Sequence, residues 1–173
     1  STTGVFSNIT ADVTYTYDCG QGYSETFTLT RTGAAAFDGT LYIDDGNIAI
    51  TSTGFIQGDA TEETAWTGDY VISQRSADAV EGKIRIESGT HNITLDGLNI
   101  ENPNDSSTLT ECLWVGVDAE ASINCGDKES VFCSDQFAGI IADGVITFEG
   151  GTLTLNQCAI YDENTFIMNG GAI

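Results

Sequence analysis

Hydrophobic and polar residues alternate along this chain in short runs that end at glycine, asparagine or aspartate. The stretch GTHNITLDGLNIENP, 89–103, alternates, breaks at Gly97 and alternates again. A period of two sends successive side chains to opposite faces of a strand. No 12-residue segment carries a convincing apolar period of 3.6; the nearest, ATEETAWTGDY from Ala60, has threonines and a glycine against it. The pattern predicts an all-β chain with little helix. Glycine occurs 20 times and proline once, at Pro103, so turns are punctuated by glycine.

Two regions differ in their rhythm. From Thr10 to about Thr32, ADVTYTYD and SETFTLTRT read as an antiparallel pair joined by CGQGYS, whose two glycines permit positive φ. Val13, Tyr15 and Tyr17 then share a face and meet Phe27 and Leu29 across the ladder. GTLYIDDGNIAITSTG and GDYVISQ follow as further short strands, so residues 1–80 are expected to form an N-terminal cap of paired β-strands, or irregular first coils. Residues 81–173 read as a succession: GKIRIESG, NITLDGLNI, CLWVGVD, ASINCGD, FAGIIADG, VITFEGG and TLTLNQC. Ile123-Asn-Cys125-Gly126 and Ile146-Thr-Phe148-Glu-Gly150 are similar to each other, at a spacing near the roughly 20 to 25 residues of a β-solenoid repeat. The expected architecture is a right-handed parallel β-helix. Ile84, Ile86, Ile93, Leu95, Leu98, Ile100, Val115, Val117, Ile123, Ile146, Phe148, Leu153 and Leu155 would point inward. A β-sandwich is the alternative.

SGTHNITLDGLNIENP, ECLWVGVDAEASINCGDKESVF and FAGIIADGVITFEGGTLTLNQC together resemble the β-helix modules of secreted and cell-surface proteins of anaerobic, Clostridia-like bacteria, including carbohydrate-binding β-helices. The resemblance spans about residues 66 to 173 and implies an extracellular binding module. The closing GGAI, with Phe166-Ile-Met-Asn169 before it, is similar to a single copy of the repeats of polymorphic autotransporter adhesins.

Charge narrows the partners. Five Lys or Arg face 26 Asp or Glu, a formal charge of -21, which opposes approach to nucleic acid or anionic lipid. The sequence holds no run of 18 apolar residues and no basic segment leading into an apolar one, so neither a membrane span nor a signal peptide is expected in it. The start at Ser1 reads as a processed mature product or an excised piece. The first would place the protein in the secreted or cell-surface class. Cysteines 19, 112, 125, 133 and 158 form no CxxC pair and have no histidine at metal-ligand spacing, which argues against structural zinc. Their odd number leaves one thiol unpaired or paired between molecules; packing as small hydrophobes is the plainer reading.

Three kinds of site are candidates. Acidic turns gather the oxygen ligands that Ca²⁺ prefers at Asp44, Asp45 and Asn47, at Asp96, and at Glu101, Asn104 and Asp105, although such residues are also ordinary turn formers. Trp66, Tyr70 and Trp114 are candidate platforms for sugar rings, and Trp114, out of phase with Val115 and Val117, is expected to face outward. The uncharged tail residues Phe166, Ile167, Met168 and Ile173 are candidates for self-association through an open strand edge. Catalytic patterns are sparse. Lys83, Arg85 and Glu87 share a strand face and form the best small cluster for lyase chemistry, but they also read as a solvent-facing charged stripe. His91, the only histidine, reads as a turn residue, and no GxSxG, Walker A or Rossmann pattern occurs. The expected function is a non-enzymatic extracellular module for adhesion or glycan binding. The alternatives are a self-associating structural subunit of a filament or surface layer, and a fragment of a polysaccharide lyase or hydrolase.

Overall fold

The computed structural model describes residues 37–102, 111–134 and 138–173, together with the backbone of the strands β1 (Val13–Asp18) and β2 (Ser24–Leu29). Within the described residues the protein is all-β, with a single 3-10 turn at Ile43–Asp45 and no α-helix. Strands β1 and β2 pair antiparallel with Val13 opposite Leu29 and Tyr15 opposite Phe27, the register that the alternation predicts. Their connection at 19–23 lies outside the described residues. The chain divides into two compact units, Ser1–Asp38 and Gly39–Ile173.

The second unit contains β3 (Thr40–Tyr42), β4 (Ile48–Ile50), β5 (Gly54–Gln57), β6 (Thr64–Ala65), β7 (Tyr70–Ser73), β8 (Ile84–Asp96) and β9 (Asn99–Asn102). It continues with β10 (Leu113–Asn124), β11 (Ser130–Ser134), β12 (Ala138–Ala142), β13 (Val145–Gly150), β14 (Leu153–Asn156), β15 (Ala159–Asp162) and β16 (Thr165–Met168). Three parallel ladders organise them. The first runs β4, β8, β10, β12, β15; the second runs β3, β7, β8, β10, β13, β16; the third runs β9, β11, β14. Strands β8 and β10 are long enough to serve two ladders, and they join these into one open mixed sheet, at whose edge β5 pairs antiparallel with β4 and β6 antiparallel with β5. The boundary expected near residue 80 falls between β7 and β8, which pair with each other.

Like stacks on like inside. Ile48, Ile84, Leu113, Ile140 and Ile160 follow one another across the first ladder, and Tyr70, Ile93, Ile123, Phe148 and Met168 across the second. Parallel pairing repeats the same side-chain direction from strand to strand, so β-branched and aromatic residues build continuous apolar rows. Each fully buried member contributes roughly 1.5 to 3 kcal/mol. In β8, Ile84 and Ile86 are buried before Gly89, while His91, Ile93 and Leu95 are buried after it. Gly89, at φ 92°, switches the inward parity without ending the strand.

Three sequence expectations are corrected here. Val117 points outward and is 72 % exposed, because the β10 register shifts against β8 between Val115 and Asp118; the extra residue reverses the local alternation. Ile123 pairs with Phe148, two residues beyond the Ile146 that sequence similarity would align with it, and Ile146 pairs instead with Ala121. Leu155 is only half-buried, since β14 lies at the edge of the third ladder.

Candidate functional site

An outward row crosses the first ladder. Ala49 pairs with Arg85, Arg85 with Trp114, Trp114 with Ile141, and Ile141 with Tyr161. Ala49, Arg85, Trp114 and Ile141 each lie between buried neighbours, and Tyr161 joins them by its pairing with Ile141, so the row stands on the side of the ladder opposite the core. The Arg85 guanidinium carbon lies 4.3 Å from the centre of the Trp114 ring. Gly116 leaves room for that ring, because a Cβ there would stand 2.7 Å from Cη2. The indole Nε1 donates to Asp143 Oδ2 at 2.8 Å, and the Tyr161 hydroxyl donates to Glu163 Oε1 at 2.7 Å. Both aromatic polar atoms are thus tied to carboxylates at strand ends, Asp143 after the neighbouring β12 and Glu163 after β15, the strand of Tyr161 itself. The Glu163 carboxylate raises the Tyr161 pKa, first through this hydrogen bond.

Glu111 anchors the row at one end. Its side chain is 3 % exposed, and it makes ion contacts of 3.8 Å with Lys83 Nζ and 3.6 Å with Arg85 NH1. Both distances exceed hydrogen-bonding range, and Glu111 Oε2 and Arg85 Nε are buried without a hydrogen-bond partner. The Lys83 and Arg85 cluster is therefore not a plain solvent stripe. Nothing in the local pattern marked Glu111, which enters through the register that puts Leu113 beside Ile84. Next to it, Asn102 fills a buried polar corner: Oδ1 accepts from the Gly82 amide at 3.0 Å, and Nδ2 donates to the carbonyls of Gly82 and Glu111 at 2.8 and 3.2 Å. Asn102 also borders a cleft of about 380 Å³, lined with Asn47, Asp59, Glu81 and Lys83.

The other aromatic candidates have structural partners. Tyr70 is fully buried, with its ring edge-on to Phe55 and His91 and its hydroxyl donating to the Gly54 carbonyl at 3.1 Å, so it offers no face to a ligand. Burial, aided by Glu63, pushes its pKa up to about 12. Trp66 is half-buried and donates to the Asp69 carbonyl at 3.1 Å, with its ring against Gly39 and Gly68. His91 is a core residue rather than a turn residue; its Nε2 donates to the Ser88 carbonyl at 2.8 Å.

The acidic candidates are dispersed. Asp44 accepts from the amides of Arg75 and Ser76, and the Arg75 amide holds its carboxyl below the usual range. Asp45 pairs with Arg75 at 2.7 Å, Asn47 Oδ1 accepts from the Lys83 amide at 2.9 Å, and Asp96 pairs with Lys128 at 3.0 Å. Glu101 is exposed on β9. Asn104 and Asp105 lie outside the described residues. Among the described residues no group of three or more His, Cys, Asp or Glu is placed to hold a metal ion.

The self-association candidates occupy the last strand and its end. Ile167, Met168 and Ile173 are 41 %, 50 % and 41 % exposed, and Phe166 is half-buried. Strand β16 pairs only with β13 among the described residues, leaving its other edge open. No helix of the described residues is long and apolar enough to cross a membrane. No protein-family model, curated protein or solved structure matches the chain.

Proposed function

We propose that the chain is a non-enzymatic module of the secreted or cell-surface class, that its three ladders wind as successive coils of a right-handed parallel β-helix, and that it binds glycan along the Arg85, Trp114, Ile141 and Tyr161 row. One observation carries the binding reading: two aromatic side chains stand in the same outward row with their polar atoms held by Asp143 and Glu163. Such a row offers apolar contact for sugar ring faces beside carboxylate acceptors for hydroxyl groups. Arg85 covers part of the indole, so contact falls to the remaining surface of Trp114 and to Tyr161, which is 44 % exposed. Elimination from uronate sugars is the weaker reading, because Lys83 and Arg85 both turn toward Glu111.

The test is affinity electrophoresis of the protein and its Trp114→Ala and Tyr161→Ala variants through gels containing neutral or acidic polysaccharides. At least one polysaccharide should retard the wild type, and each variant should lose about tenfold in affinity, equivalent to about 1.4 kcal/mol. Absence of retardation by every polysaccharide, or variants retarded like the wild type, would remove the glycan reading. A second reading, self-association, rests on the exposed apolar residues and the open edge of β16.

A further inference from the structure

The outward side of the first ladder continues past Arg85 into the cleft that Asn102 borders. Lys83 immediately precedes β8, and Asn47 immediately precedes β4. The alternation that turns Ala49 and Arg85 outward puts Asn47 and Lys83 on the same side, two residues or roughly 7 Å along the chain. Both line the cleft, together with Asp59 and Glu81, so the aromatic row and the cleft adjoin on one face.

The cleft is built before a ligand arrives. Asn47 Oδ1 accepts from the Lys83 amide at 2.9 Å and the Asn47 carbonyl accepts from the Gly58 amide at 2.8 Å, which ties the segments carrying Glu81 and Asp59 to one residue. Asn102, itself buried, holds the Gly82 amide and carbonyl at 3.0 and 2.8 Å, and the Lys83 carbonyl accepts from the Ile48 amide at 2.8 Å. The backbone polar groups of Gly82 and Lys83 are thereby all engaged, and recognition falls to side chains. Asp59 and Glu81 are exposed and make no hydrogen bond or ion pair with another described residue. They supply acceptors, while Asn47 Nδ2 and Lys83 Nζ supply donors. At about 380 Å³ the cleft lies near the small end of ligand pockets, roughly 300 to 1,000 Å³, which suits a single sugar unit.

Charge selects among sugars. Glu111, whose buried Oε2 has no hydrogen-bond partner, lies 3.8 Å from Lys83 Nζ and 3.6 Å from Arg85 NH1. With Asp59 and Glu81 at the cleft and Asp143 and Glu163 beside the aromatic rings, the face carries five carboxylates against these two cations. An anionic sugar is opposed by that excess, and a cationic one is opposed inside the cleft by Lys83. A hydroxyl donates to a carboxylate and accepts from an ammonium or an amide, so it suits both kinds of group. We propose, resting on the glycan reading of the aromatic row, that the cleft is a second subsite of the same face and takes one uncharged, hydroxyl-rich sugar unit of a chain whose neighbouring units lie on Trp114 and Tyr161.

Titration of the ¹⁵N-labelled full chain with neutral tetrasaccharides of glucose, mannose and galactose, and with the corresponding chains of galacturonate and glucosamine, tests this through amide and indole NMR shifts. At least one neutral tetrasaccharide should move the amides of Asn47, Asp59 and Glu81 together with the Trp114 indole. The double variant Asp59→Ala, Glu81→Ala should lose the cleft shifts and about tenfold in affinity while keeping the indole shift. Asp59→Asn, Glu81→Gln keeps an acceptor at each position without its charge, so it should bind the neutral chain better than the alanine variant and weaken the selection against galacturonate. Shifts at Trp114 and Tyr161 without the cleft, or an alanine variant that binds like the wild type, would overturn the subsite and leave the glycan face standing. No shift at either place would remove both. Tighter binding of the galacturonate or glucosamine chain in the cleft would overturn the proposed class of sugar. Both substituted residues are exposed, and a spectrum unchanged outside the cleft verifies that each variant is folded.

Discussion

Arg85 is held from two sides: its guanidinium carbon lies 4.3 Å from the centre of the Trp114 ring, and its NH1 lies 3.6 Å from the buried Glu111 carboxylate. Removing Glu111 leaves two cations facing a polar corner without their counter-charge. Because the Arg85 side chain is 43 % exposed, solvent recovers part of that loss. Glu111→Ala is therefore expected to destabilise by about 1 to 3 kcal/mol in urea unfolding. The unpartnered Glu111 Oε2 and Arg85 Nε add a second expectation: the double variant Glu111→Leu, Arg85→Met should recover most of that loss. A double variant as unstable as Glu111→Ala would show that the ion cluster contributes net stability.

Alkaline sensitivity follows from two buried groups. Tyr70 and Cys112 are each raised to about 12, from ordinary values of 10.0 and 9.0, chiefly by burial. Above the ordinary value the unfolded chain releases its proton while the folded chain keeps it, so the unfolded state binds fewer protons and stability falls. Their contribution is complete below about pH 9 and is lost as the pH rises toward about 12, on the order of 2 to 4 kcal/mol for each group. Urea midpoints measured under reducing conditions from about pH 8 to about pH 11 should drop, and the drop should be smaller in Tyr70→Phe and Cys112→Ser. An identical pH slope in both variants would refute the assignment.

Val115 and Val117 test the register shift in β10. Val115 is fully buried, whereas Val117 is 72 % exposed. Val115→Ala is expected to cost about 2 kcal/mol, and Val117→Ala to stay within about 0.5 kcal/mol. Equal costs, measured as urea midpoints, would mean that both side chains face the core. Gly89→Ala should be costly for another reason: φ is 92° there, and a Cβ would stand 2.9 Å from Ser52 Cα. About 1 to 3 kcal/mol is expected.

These positions also show how much the sequence conveys. Alternation locates Ile84, Ile86, Ile93 and Leu95 in the core, because that information is local. It misplaces Val117, because a bulge is defined by the partner strand and leaves no mark in the run WVGVD. Gly89 reads as a strand end from sequence, yet it bends a strand that continues into a second ladder. The candidate site was legible at Trp114, whose phase against Val115 is local, and at Arg85, which shares a strand face with Lys83 and Glu87. Ile141, Tyr161 and Glu111 join it through pairing between distant strands, and Tyr70 leaves it because β8 and the Gly54 carbonyl bury the ring and bind its hydroxyl.

Self-association is expected to depend on the β16 edge. The inward row of the second ladder ends with Met168 stacked beside Phe148, and no further described strand covers Met168, which is 50 % exposed. Thr165, Phe166, Ile167 and Met168 carry no charge on a chain of net charge -21, so the edge lacks the side chains that most effectively discourage pairing. Repulsion between copies falls off within roughly 8 Å at physiological salt, which leaves short-range edge pairing to decide the outcome. Light scattering across a concentration series should therefore show growth in mass that increases with salt. Ile167→Lys places a charge on the outward side of β16, where Ile167 is 41 % exposed, and should suppress that growth while leaving the thermal midpoint nearly unchanged. Deleting residues 166–173 should suppress it as well, with some loss of stability because Phe166 packs beside Ile146. If the wild type stays monomeric at every concentration and salt level while the truncated chain unfolds, the last strand serves only as core, and the structural-subunit reading is to be abandoned.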